Sequence, residues 1–154
     1  KWVNDIFYQG KKLCGILTEA AWNCEDGRMD YMVVGIGINI RQTAVTLPPE
    51  LHAIVSSLEE SGCAHVRRAE LLAEVLNRFE RLLETLPEHG FLEEYRRRSC
   101  LTGQRVTAWQ GTQQREGFVT GIAEDGALLM QLDNGETIAL QSGEVTLHQP
   151  EETE

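Results

Sequence analysis

Between residues 66 and 86 the apolar side chains fall on one helical stripe, and on both sides of that stretch they come in short runs cut by glycine turns. Val66, Ala69, Leu72, Val75, Leu76, Phe79, Leu82, Leu83 and Leu86 recur every three or four residues, with Glu and Arg on the opposite face. That period cannot be shared with a strand, whose faces alternate every second residue. A chain built this way has to place β layers before and after a helical segment, which makes it an α+β protein.

The first block covers residues 1–40. Trp2, Ile6 and Tyr8 alternate with Val3 and Phe7, which predicts a strand over 2–8. Gln9-Gly10-Lys11-Lys12 reads as a tight turn and 13–22 as a second strand. A polar stretch with Asp26-Gly27 turns the chain into a third apolar run over 29–40, whose two glycines argue against helix. Three strands on short turns predict an antiparallel meander. In the helical block, 48–99, Leu51, Ile54, Val55 and Leu58 predict a helix stopped by Gly62, and the long stripe a second, ended near Pro87. Phe91, Leu92 and Tyr95 open a short third helix ending in Arg96-Arg97-Arg98, readable as a solvated helix end or as an anion site. In the last block Asp125-Gly126 and Asn134-Gly135 separate short β runs, and five such runs predict a small SH3-like barrel. The expected architecture is therefore an antiparallel or mixed sheet with helices packed on it over 1–99, an SH3-like barrel over 100–148, and an acidic tail over 149–154.

Charge narrows the function. Lys and Arg number 14 against 24 Asp and Glu, a formal net charge of −10, which disfavours general nucleic-acid or polybasic membrane binding. No apolar run is long enough for a transmembrane helix. Cys14, Cys24, Cys63 and Cys100 are widely spaced, with no CxxC pair, and read as reduced thiols mostly packed as small apolar residues. His52, His65, His89 and His148 form no metal-ligand pattern, so no metal site is expected. With no recognisable secretory leader, this composition sets the expectation of a cytoplasmic protein. The chain opens on Lys within a strand-like run, and is expected to be the back part of a longer protein.

Three ordered motifs carry the functional signal. Lys1-Trp2-Val3-Asn4-Asp5 heads the first strand, Lys12-Leu13-Cys14-Gly15-Ile16-Leu17-Thr18-Glu19 forms the second, and Gly35-Ile36-Gly37-Ile38-Asn39 ends the third. In order and spacing they resemble the biotin–protein ligases, whose pattern is K-W-P-N-D, then K-[apolar]-x-G-[apolar]-[apolar]-x-E, then G-[apolar]-G-[apolar]-N. The run from Gly121 to Leu128 and the closing Gly143-Glu144-Val145-Thr146-Leu147 are similar to the family's C-terminal barrel, so the resemblance covers the whole chain.

The resemblance implies two chemical steps. Biotin and ATP give biotinyl-5'-AMP and pyrophosphate; a lysine of a biotin carboxyl carrier domain then takes the biotinyl group and releases AMP. Mg²⁺ is implied with the ATP. Bringing a carboxylate to a phosphate requires fixed positive charge at the reacting oxygens, and Lys1 stands at the family's essential lysine. Gly15, Gly35 and Gly37 would let the backbone approach the adenylate. Ile6 is an apolar candidate for biotin and Ile16 a further ligand-binding candidate; Asn39 suits a nucleotide base or a structural loop cap, Asn4 a similar contact or a strand-end turn, and Asp5 is a candidate to orient Asn4 or Lys1. Trp2 and Trp22 read as core more readily than as a ring-stacking wall.

Two departures matter. Val3 replaces the usual Pro, and the family's upstream Gly/Arg-rich loop has no counterpart here. His148 also stands where an arginine is usual. Half a catalytic sheet is expected to leave an open edge at the first strand and uncovered helix faces, through which a second copy could associate. Nucleic acid would be a partner only through an N-terminal DNA-binding domain preceding this chain. Two other readings remain open: a lipoate–protein ligase-like transferase, and a non-enzymatic carrier-binding or dimerisation module.

Overall fold

The computed structural model describes residues 1–41, 48 and 51–147; His148 and the tail over 149–154 lie outside the described residues. The chain forms two compact units, Asn4–Leu72 and Lys1–Val3 with Ala73–Glu154.

In the first unit β1 (Asp5–Tyr8), β2 (Lys11–Trp22) and β3 (Met29–Ile38) form the antiparallel meander expected, in the order β1-β2-β3. Gln9 and Gly10 both have positive φ, 49° and 80°, between the paired Tyr8 and Lys11. This two-residue geometry matches the natural twist of the strands it joins. The first strand starts at Asp5, not Trp2, because Trp2 is buried in the core of the other unit.

The helix expected after residue 50 does not form. Residues 52–54 are turns and Val55 makes a parallel bridge to Lys12. Lys12 N–H donates to Ile54 O and Ser56 N–H to Lys12 O, both within 3.0 Å. The segment satisfies its backbone by pairing beside β2, which overrides the helical spacing of its apolar residues. Farther on, Leu58 N–H reaches Asn39 O and Glu59 N–H reaches Ile40 O.

The long stripe is α1 (Arg68–Glu84), and none of its residues is buried. Leu72, Leu76 and Leu83 are each more than half exposed. A short 3₁₀ turn (Leu86–Glu88) leads to α2 (Leu92–Arg97).

The last block forms β4 (Arg105–Gln110), β5 (Gln113–Ile122), β6 (Leu128–Leu132), β7 (Thr137–Leu140) and β8 (Glu144–Leu147), an antiparallel sheet ordered β7-β6-β5-β4-β8. Every second residue is buried: Val106 and Ala108 on β4, Leu128 and Met130 on β6. The expected barrel is an open sheet, since β7 and β8 are its edges and do not pair among the described residues. Trp2, Leu92 and Leu101 join the same buried cluster, so side chains from outside the sheet cover its apolar face. Glycine is obligatory at two places. A Cβ on Gly117 would collide with Gln131 O, and one on Gly143, at φ 140°, with Trp109 O.

The cysteine expectation is also corrected. All four are free, but only Cys14 is buried; Cys24, Cys63 and Cys100 are exposed.

Candidate functional site

The candidate residues of the first unit sort onto two faces of one sheet. Gly15 pairs with Asp5 on one side and with Gly37 on the other, and the next pair on that face is Leu17 with Gly35. Residues directly opposite in an antiparallel ladder share a face, so Asp5, Gly15, Gly35 and Gly37 lie together. Ile6 pairs with Cys14 and Ile16 with Ile36, on the reverse face. The glycine row and the two isoleucines are therefore not brought together by their side chains.

The fold does not require glycine in this row. No positive φ occurs at Gly15, Gly35 or Gly37. A Cβ on Gly37 would come no nearer than 3.7 Å to Gly15 O, and one on Gly35 no nearer than 3.7 Å to Leu17 O, ordinary contact distances. Glycine inside a strand costs about 0.5–1 kcal/mol against alanine. The row carries that cost without a packing reason, unlike Gly117 and Gly143.

Both asparagines are tied to the sheet. The Asn4 side-chain amide donates to Ile16 O at 2.8 Å, while Asn4 O accepts from Ile16 N–H at 2.8 Å. The Asn39 amide donates to Ser56 O at 3.1 Å and Lys12 O at 3.4 Å, holding the pairing segment against β2. Lys1 belongs to the other unit, where its neighbours anchor the chain. The Trp2 indole donates to Gly126 O at 3.0 Å and the Tyr95 hydroxyl to Val3 O at 3.4 Å. Trp2 is 4% exposed, a core residue rather than a ring-stacking wall.

One pair escaped the sequence reading. Ile6 faces Cys14 but Phe7 faces Lys12, so Leu13 is an extra residue in β2. Such a bulge reverses the side-chain alternation and brings Lys12 onto the glycine face. Lys12 Nζ lies 2.6 Å from Asp5 Oδ1, and its Cε and Nζ pass 3.4 Å from where a Gly15 Cβ would stand. The Lys12 in the motif was visible in the sequence; the bulge that aims it was not. Behind this face, burial raises the pKa of the Cys14 thiol; Asp5 raises it further and Lys12 opposes.

The arginine triplet is occupied internally. Arg96 Nε donates to Ile122 O at 2.8 Å, and Arg97 and Arg98 both hold Glu94, whose carboxyl they bring down to about 2. Among the described residues no group of three or more His, Cys, Asp or Glu stands close enough to hold a metal ion. Nor is any helix among them long and apolar enough to cross a membrane.

Comparison with known proteins follows the same lines. The family described as "Biotin protein ligase C terminal domain" matches residues 101–147. The "Bifunctional ligase/repressor BirA" of Bacillus spizizenii is 34% identical over 140 residues, 88% of this chain and 42% of that protein. The chain belongs to the biotin protein ligase family. A second family member, the "Biotin--[acetyl-CoA-carboxylase] ligase" of Mycobacterium tuberculosis, is 30% identical over 148 residues, 94% of this chain and 51% of the relative. Among solved ligases, the biotin protein ligase from Aquifex aeolicus in complex with biotin and ATP matches with a TM-score of 0.77 at 28% identity, over 97% of this chain and 61% of that one. The chain thus spans about half the length of the curated ligases it matches, corresponding to their C-terminal part.

Proposed function

We propose that the full-length protein carrying this chain is an ATP-dependent biotin–protein ligase, with residues 1–99 the C-terminal part of its catalytic domain, 100–148 its small C-terminal domain and 149–154 a tail. The observation that carries this reading is the glycine row of β2 and β3: Gly15, Gly35 and Gly37 open the backbone on one face at positions where the fold itself does not need glycine. Backbone opened in this way suits an extended acyl-adenylate lying close against main-chain groups.

In the first step a biotin carboxylate oxygen attacks the α-phosphorus of ATP. The bond to the bridging oxygen breaks, and pyrophosphate leaves with its electron pair. Lys1 supplies positive charge where carboxylate and phosphate meet. In the second step a carrier-domain lysine amine, losing a proton, attacks the biotinyl carbonyl; an amide forms and AMP leaves. Gly15, Gly35 and Gly37 form the floor for the ligand. Asn4 and Asn39 hold the floor in register, which leaves the Asn39 carboxamide oxygen as its part for a nucleotide. Ile6 and Ile16 form the apolar back of the sheet. Mg²⁺ arrives with the nucleotide as part of the substrate.

The partner is the carrier domain of a biotin-dependent carboxylase, in the cytoplasm. A second copy would pair on the open edge of β1, and DNA would be engaged only by a preceding domain. The test uses the full-length polypeptide. It should show biotin-dependent exchange of labelled pyrophosphate into ATP and biotinylation of a carrier domain. Exchange with lipoate and none with biotin would replace this reading by the lipoate one; no exchange with either would leave a non-catalytic module.

A further inference from the structure

The first sheet takes hold of the chain at Asn4, whose carbonyl accepts from Ile16 N–H, and β1 begins at Asp5. Lys1, Trp2 and Val3 belong instead with the C-terminal unit. Two hydrogen bonds fasten the residues that follow Lys1. The indole of Trp2, which is buried in one cluster with Leu92 and Leu101, donates to Gly126 O at 3.0 Å. The Tyr95 hydroxyl donates to Val3 O at 3.4 Å. Both anchors stand on braced elements. Gly126 lies in the turn between β5 and β6, which Ala123 N–H closes on Ala127 O at 2.9 Å. The Asp125 carboxylate braces that turn further, accepting from Ala127 N–H at 3.1 Å and from Gln141 Nε2 at 2.6 Å. Tyr95 lies on α2, where Arg96 Nε donates to Ile122 O, at the end of β5, at 2.8 Å. Burial pushes the Tyr95 hydroxyl pKa up, which keeps it protonated and able to donate.

We propose that Trp2 and Tyr95 are positioning residues for Lys1: through the Gly126 carbonyl and the Tyr95 hydroxyl, the C-terminal unit holds the backbone that carries the lysine, and so takes part in adenylate formation. This rests on the ligase reading of Lys1 and deepens it. A cation stabilises developing charge best when it is already in place, and a displacement of about 1 Å costs on the order of 100-fold in rate. Pins on the two residues after Lys1 limit that displacement. Plain stabilisation is the competing role, since Trp2 fills a core whatever Lys1 does. The two roles part once the lysine is gone. A positioning residue then has nothing left to position, whereas a stabilising residue keeps its whole effect.

The test is a double-variant cycle on the full-length polypeptide. It is read by biotin-dependent pyrophosphate exchange at saturating biotin and ATP, with biotin affinity from calorimetry and stability from denaturant melts. Trp2→Phe and Tyr95→Phe each remove one donor and keep a ring in place. Trp2→Phe should slow exchange about tenfold, and Tyr95→Phe by a smaller factor because its bond is longer. Biotin affinity should stay at the wild-type value in both. Introduced into Lys1→Ala, neither should slow exchange further. Tyr95→Phe alters no fully buried side chain, so it reads the proposal even where Trp2→Phe fails to fold. The same fractional loss with and without the Lys1 side chain, a parallel loss of biotin affinity, or a wild-type rate in the folded variants would each overturn the inference and leave the ligase reading in place. If the wild-type protein shows no exchange, both fall together.

Discussion

Gly15 stands directly opposite Gly37 across the β2–β3 ladder, with neither residue at positive φ and a Gly37 Cβ falling 3.7 Å from the Gly15 carbonyl oxygen, an ordinary contact. Two glycines facing each other in a strand interior weaken a sheet, because each loses more backbone entropy on folding than alanine would. Here no turn and no crowding requires them. That contrasts with Gly117 and Gly143, where a Cβ would collide with backbone.

Gly37→Ala should leave the fold intact and weaken biotin and nucleotide binding by about tenfold or more, since a methyl would occupy the floor. Gly117→Ala should do the reverse, lowering stability by more than about 1 kcal/mol through collision with Gln131 O. Denaturant melts and calorimetry on the two variants check both halves. Equal destabilisation by the two would remove the distinction.

Lys1→Ala in the full-length polypeptide should slow biotin-dependent pyrophosphate exchange at least about tenfold, as expected for loss of a cation that stabilises charge developing in the transition state. Biotin affinity should change much less. An unaltered exchange rate would take Lys1 out of the mechanism.

Trp2 fills the core that covers the second sheet, and its indole N–H donates to Gly126 O. Trp2→Ala should therefore cost about 3–5 kcal/mol of stability. Trp2→Phe keeps most of the volume but loses the hydrogen bond, a cost of about 1 kcal/mol for the bond itself. Chemical denaturation of the two variants measures the difference.

Cys14 is buried and its pKa raised, chiefly by burial. The folded state thus favours the protonated thiol. The stability this contributes is fully present below the unfolded thiol pKa and is lost as pH rises through the folded one. Stability should fall on the alkaline side above the ordinary thiol range, and Cys14→Ala should flatten that fall. Under native conditions iodoacetamide should modify Cys24, Cys63 and Cys100 well before Cys14. Mass spectrometry of timed digests reads the order.

The local elements were legible because their causes are local. Gln9-Gly10, Asp125-Gly126 and Asn134-Gly135 sit in turns between the strands they were expected to join, and the stripe that became α1 needed only its period. The run at Leu51, Ile54, Val55 and Leu58 misled because its spacing is helical, yet its backbone found partners at Lys12 and Asn39. Closure of the last sheet was equally out of reach, being decided by which apolar side chains cover it.

By itself the sequence determined the strand meander, the long helix, the five-strand block and the motif order that marks the ligase family, because turn chemistry and apolar period act over a few residues. Only tertiary structure decided which motif residues share a face. The bulge at Leu13 depends on how β1 and β2 register, and that single extra residue turns Lys12 toward Asp5 and the glycines. Register is a property of paired strands, held by backbone hydrogen bonds between distant residues, and no stretch of one strand carries it alone.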